Sequence, residues 1–145
     1  MSVPGSAGVD YANAVHVGTD CVLIVDDDDD LREAVADLLR LRGFDVLQAA
    51  NGREALERMT GRLPGVILLD MKMPVMNGWE FAAAFRRKYD DAAPIIVVTA
   101  AADAQARAME IGADGWLCKP FDVAELNAVV DRLLASRKSS PASST

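Results

Sequence analysis

Cysteine is scarce: Cys21 and Cys118 are the only two, too few for a disulfide framework. We expect both thiols to be reduced, in a cytoplasmic setting. Long apolar runs are missing as well. No stretch approaches the roughly 18 residues of a membrane-spanning helix. Positive charge is in the minority, with 15 Lys+Arg against 22 Asp+Glu and a net charge of −7. A nucleic-acid surface would need clustered Lys and Arg, so we expect no nucleic-acid partner. Met1 to Thr19 carries no Lys or Arg and no continuous apolar core, which makes a poor signal peptide. The phosphate loops G-x-x-x-x-G-K-[ST] and G-x-G-x-x-G do not occur. The lone His16 has no second ligand at metal spacing and reads as a solvated residue.

What is present fits one soluble domain: 145 residues, 51% hydrophobic and 26% charged. Residues 1–20, rich in Gly, Ala and Ser, read as a flexible N-terminal extension. Residues 21–135 read as the folded domain. From Ser136 to Thr145 the Ser/Pro tail has nothing to bury and is expected to be disordered. Within the domain, apolar runs alternate with helical patterns. Cys21–Val25 is a buried strand. A helix follows, with Leu31, Ala34, Val35, Leu38 and Leu39 in its stripe and Gly43 as its stop. Phe44–Gln48 is a second strand. Asn51 and Glu54 open a second helix.

Val66–Leu69, bounded by Pro64-Gly65 and closed by Asp70, is a third strand. Trp79–Tyr89 is helical, with Phe81 and Phe85 on one face. Ile95–Val98 leads to Thr99, Asp103–Ile111 is an Ala-rich helix, and Gly115–Cys118 is a short fifth strand. Asp122 and Glu125 open a last helix with Leu126, Val129, Val130, Leu133 and Leu134 as its stripe. Five strands each followed by a helix, with both faces of the strands apolar, imply a parallel α/β sheet covered on both sides.

In such a sheet the C-terminal strand ends share one edge, where ligands bind. That edge would hold Asp26 and Asp27, Asp70, Thr99 and Lys119. Three clustered carboxylates repel unless a cation intervenes. A hard divalent ion suits these oxygens, Mg²⁺ first and Mn²⁺ as a substitute. With a hydroxyl and an ammonium added, the set suits a phosphoryl group that Asp70 attacks in line. Taken singly, each residue has a plainer reading. Asp28, Asp29 and Asp30 we read as a helix cap and solvated turn. Asp70 alone could be a turn residue, Thr99 strand filler and Lys119-Pro120 a surface turn. Their joint placement makes the case.

The segments Val22-Leu23-Ile24-Val25-Asp26-Asp27, Ile67-Leu68-Leu69-Asp70-Met71-Lys72-Met73-Pro74, Val97-Val98-Thr99-Ala100 and Lys119-Pro120-Phe121 resemble the receiver domain of bacterial two-component response regulators. The likeness covers about residues 21–135, in the family's order and spacing. It implies a flavodoxin-like, doubly wound, five-stranded parallel sheet of order 2-1-3-4-5 with five helices. It implies that Asp70 is the phosphoacceptor, supplied by a histidine kinase or histidine phosphotransfer protein. The chain is then no enzyme beyond self-catalysed phosphotransfer and hydrolysis at Asp70. The metal residues implied are Asp27 directly, Asp26 through water, Asp70, and the backbone carbonyl of Lys72. Thr99 corresponds to the switch hydroxyl, Lys119 to the ion-pairing lysine before a cis proline, and Trp116 to the aromatic switch position, where Tyr or Phe is more usual. Lys72 and Ala101 stand where receivers gate the hydrolytic water, which predicts slower self-dephosphorylation than in the chemotaxis regulator.

Output is expected through the face of the fourth helix, fifth strand and fifth helix, toward an unknown protein. The Ala-rich stretch 100–108 suggests a helix able to dock a partner. Residues 112–116 and 122–127 of that face lack arginine, so the unphosphorylated chain is expected to be a monomer. It reads as a single-domain regulator or relay, or as a fragment of a larger regulator or hybrid kinase. The rival readings are weaker. A haloacid-dehalogenase phosphatase needs an acid two residues after its nucleophile, where Lys72 stands. A flavodoxin needs a Ser/Thr-rich loop where five Asp stand. A receiver-fold module working without phosphorylation would not need Asp26, Asp27, Asp70, Thr99 and Lys119 together.

Overall fold

The computed structural model describes residues 16–100 and 102–139. Its elements in chain order are β1 (His16–Val25), α1 (Asp29–Leu41), β2 (Asp45–Ala49), α2 (Gly52–Arg58), β3 (Arg62–Asp70), α3 (Gly78–Tyr89), β4 (Ile95–Ala100), α4 (Ala104–Ile111), β5 (Gly115–Lys119) and α5 (Val123–Ser139). All strand pairs are parallel, and the strands lie in the order β2-β1-β3-β4-β5. This is the flavodoxin-like 2-1-3-4-5 sheet with five helices. No described helix is long and apolar enough to cross a membrane.

The apolar runs of β1, β3 and β4 are continuous because each of these central strands feeds two cores with a period of two. Leu23, Val25, Ile67, Leu69, Ile95 and Val97 face a core built with Ala55 and Met59 of the α2 segment, Phe81 and Phe85 of α3, and Ala108 of α4. Val22, Ile24, Val66, Leu68, Ile96 and Val98 face the other, covered by Val35, Ala36 and Leu39 of α1 and by the whole expected stripe of α5. In α1 the stripe differs by one position from the expected one, since Ala36 is buried and Ala34 exposed.

Helix starts are held by side chains. Asp28 caps α1 by accepting the Leu31 N–H at 3.0 Å, in line with the cap reading of the acidic run. Asn51 caps α2, while Asn77 and Glu80 form a reciprocal capping box on α3. Asp122 and Glu125 bond each other's backbone N–H at the start of α5. Gly43, just past α1, has φ +92, a conformation that glycine adopts without strain.

Three boundaries differ from expectation. The first strand begins at His16, so residues 16–20 are strand rather than flexible extension; residues 1–15 lie outside the described residues. Pro64-Gly65 does not start the third strand, which runs from Arg62. Gly18 pairs with Pro64 and Val22 with Val66, with a register shift between them. Proline has no N–H for the ladder, and the slip in the neighbouring strand absorbs that defect where a break was expected. At the other end α5 continues to Ser139, so the helix runs past the expected start of the tail at Ser136; residues 140–145 lie outside the described residues.

Candidate functional site

The strand ends meet as the sheet order requires. β1 delivers Asp26 and Asp27, β3 delivers Asp70, β4 delivers Thr99 and β5 delivers Lys119. One oxygen from each of Asp26, Asp27 and Asp70 lies within 4.8 Å of the others. Asp26, Asp70 and Thr99 are buried, whereas Asp27 is exposed. Lys119 Nζ lies 3.1 Å from Asp26 Oδ2 and 3.5 Å from Asp70 Oδ2. The Lys72 N–H donates to Asp70 Oδ1 at 3.3 Å, and the Asp28 N–H donates to Asp26 Oδ1 at 2.9 Å. The Lys119–Pro120 peptide is cis, as the resemblance implied.

The electrostatics follow from this crowding. Burial pushes the Asp70 carboxyl up to about 6 and Asp26 adds to the push, while Lys119 and the Lys72 N–H oppose them. Burial works against the Lys119 ammonium, but Asp26 and Asp70 outweigh it and hold its pKa above the ordinary lysine value. The donor set is oxygen-only and two of its carboxylates are buried, which fits a hard divalent cation such as Mg²⁺.

The loop after Asp70 is pinned. The Gly78 N–H donates to the Met71 carbonyl at 2.9 Å. A Cβ on Gly78 would stand 2.6 Å from Met71 Sδ and 2.9 Å from the Asp70 carbonyl oxygen, so only glycine allows this approach. Val75 has φ +68 and the Met76 N–H donates to the Pro74 carbonyl at 2.7 Å, a γ-turn strained for a β-branched residue. The Met76 carbonyl accepts from the Gly52 N–H at 2.9 Å, tying the loop to α2.

Trp116 is 43% exposed and pairs with Val97 in the β4–β5 register. It borders a groove of about 440 Å³ lined also by Leu117, Glu125, Val129 and Arg132. Lys72 is exposed. Ala101, the other residue expected to gate hydrolysis, lies outside the described residues. Sequence reasoning missed two polar assemblies. Arg32 of α1 donates to the Asp26 carbonyl at 2.7 Å. Trp79 Nε1 of α3 donates to Glu110 Oε1 of α4 at 2.9 Å. In each, a residue that looks solvated in its own helix finds its partner on another element.

Residues 22–131 match the family model of the response regulator receiver domain. The transcriptional regulatory protein PrrA of Mycobacterium tuberculosis is 42% identical over 126 residues, covering 86% of this chain and 54% of PrrA. The regulatory protein AtoC of Escherichia coli is 38% identical over 115 residues, covering 78% of this chain and 25% of AtoC. The chain thus spans about half the length of PrrA. Among solved structures, the chemotaxis response regulator CheY4 of Vibrio cholerae superposes with TM-score 0.70 at 37% identity, covering 78% of this chain and 97% of CheY4. The response regulator TrrA of Thermotoga maritima, solved in complex with Mg²⁺ and BeF, gives TM-score 0.69 at 33% identity, covering 78% of this chain and 97% of TrrA.

Proposed function

The chain belongs to the response regulator receiver domain family, and from that premise we propose that Asp70 accepts a phosphoryl group from the phosphohistidine of a histidine kinase or histidine phosphotransfer protein. The observation that carries this reading is the convergence of three carboxylates and one ammonium on a single sheet edge.

Asp26, Asp27, Asp70 and the Lys72 carbonyl would hold Mg²⁺, or Mn²⁺ in its place. The ion supplies charge stabilisation to the phosphoryl oxygens when bound. An Asp70 oxygen attacks phosphorus, the P–N bond breaks, and the imidazole leaves with the electron pair. The product on this chain is an aspartyl phosphate, which water later hydrolyses back to the carboxylate. Lys119, already 3.5 Å from Asp70, is placed to neutralise the incoming phosphoryl charge. Thr99 donates its hydroxyl to the same group and Trp116 changes environment with it, altering the face formed by α4, β5 and α5. That face offers the output partner a groove with Trp116 at its rim. The chain acts as a cytoplasmic signalling module and is a monomer when unphosphorylated. The Lys72 and Ala101 pair is expected to slow dephosphorylation relative to the chemotaxis regulator.

Intact mass after incubation with a small phosphodonor tests this. Wild type with Mg²⁺ gains one phosphoryl mass; Asp70→Ala, or wild type in chelator, gains none. No gain in wild type that binds Mg²⁺ would instead identify a receiver-fold module working through partner binding alone.

A further inference from the structure

Arg32 is the fourth residue of α1, with a side chain only 16% exposed. Its guanidinium spans three elements. Nη1 donates to the Asp26 carbonyl at 2.7 Å, Nε donates to Gln48 Oε1 of β2 at 3.1 Å, and Nη2 lies 2.8 Å from Asp29 Oδ1. Asp26 is the first residue past the end of β1. Its N–H still donates to the Ala49 carbonyl at 3.0 Å, while its carbonyl is taken by the arginine.

We infer that Arg32 is a positioning residue: by fixing the Asp26 carbonyl it sets the direction in which the Asp26 carboxylate meets a divalent cation, without touching that cation. The inference rests on the proposed role of Asp26 as a metal carboxylate. A charged donor on a carbonyl makes a short, directional bond that fixes the peptide plane. That plane and the N–H bond to Ala49 together orient the Cα–Cβ bond of Asp26. The guanidinium is held on its other edges as well, by Gln48 and Asp29, and its fork is rigid. Lysine could reach one of these acceptors, not all three. Geometry and charge act in opposite directions here. The positive charge of Arg32 repels an incoming cation, so losing the charge alone would tighten binding. Losing the geometry weakens it, and outer partners of metal ligands act chiefly through geometry.

Calorimetric titration with Mg²⁺ in the absence of phosphodonor separates the two. Arg32→Ala is expected to bind Mg²⁺ about tenfold more weakly, with Arg32→Lys at about threefold because one donor to the Asp26 carbonyl survives. Phosphorylation by a small phosphodonor then needs correspondingly more Mg²⁺ for half-saturation, while its rate at saturating Mg²⁺ falls less. A lowered melting temperature with unchanged Mg²⁺ affinity would overturn the inference, and so would tighter binding by Arg32→Ala. If Arg32→Ala does not fold, Arg32→Lys decides by the same comparison. If wild type binds no Mg²⁺, the metal reading of Asp26 fails and takes this inference with it; wild type that binds Mg²⁺ with an Arg32→Ala that binds equally well sinks this inference alone.

Discussion

Asp70 is held at a cost that depends on pH. Its carboxyl titrates near 6 against an ordinary 3.8, because burial and then Asp26 disfavour the charged form more than Lys119 favours it. A raised carboxyl pKa stabilises the fold fully below the ordinary value and loses that contribution as pH rises through about 6. The window from pH 4 to pH 7 therefore carries about 2–3 kcal/mol from this one group. In chelator, Asp70→Asn should be more stable than wild type by about 2 kcal/mol at pH 7 and nearly equal at pH 4. Urea unfolding at the two pH values checks it; a difference independent of pH would refute the assignment of strain to this carboxylate. The residues that sequence made legible share one property. Asp26, Asp70, Thr99 and Lys119 all end, or directly follow, an apolar run, and a parallel sheet gathers such ends on one edge. Arg32 was not legible, because an arginine on a helix reads as solvent-facing until the neighbouring strand places Gln48 beside it.

α4 is weakly anchored by apolar contact. Its fully buried side chains are Ala104 and Ala108, whereas α3 buries Phe81 and Phe85, each worth far more transfer energy. Polar bonds do the fastening. Trp79 Nε1 bonds Glu110, Arg107 pairs with Glu110 at 2.8 Å and lies 5.8 Å from the Trp79 ring centroid. Arg86 donates to the carbonyls of Ile111 and Gly112. Trp79→Phe keeps an aromatic ring but removes the N–H donor. It should release about 1 kcal/mol and speed hydrogen exchange of α4 amides, leaving α1 and α2 unchanged. Uniform acceleration across all helices would contradict this local role. The periodicity of α3 and α5 was readable because their stripes are large and apolar. The offset in α1 escaped, since Ala34 and Ala36 are equally apolar and only packing chooses between them. The Pro64-Gly65 signal was real but was answered by a slip in the partner strand, which no reading of one strand alone can show.

At the scale of the whole molecule, the site reaches the exposed Trp116 through β4, which carries Thr99, and along β5, which carries both Trp116 and Lys119. Asp70 pairs with Val98 across β3 and β4, and Trp116 pairs with Val97 across β4 and β5. If phosphorylation draws on Thr99 as proposed, it acts on the strand that carries the indole's neighbour, Val97. In a Trp79→Phe background, saturating beryllium fluoride with Mg²⁺ should shift the remaining Trp116 emission; an unchanged spectrum at saturation would remove Trp116 from the switch. The helix that must answer such a pull is tied asymmetrically. Asp103 makes no side-chain cap bond at the start of α4, while α1, α2, α3 and α5 are all capped. Asp103 instead donates its N–H to the Ala100 carbonyl at 2.9 Å, one residue past Thr99. α4 is thus fastened by side chains at its Trp79 end and held by backbone alone at the end beside Thr99. If Asp70 is phosphorylated as proposed, displacement of α4 is expected to begin at this uncapped end, and a helix of only eight residues carries it as one rigid piece toward the fastened end.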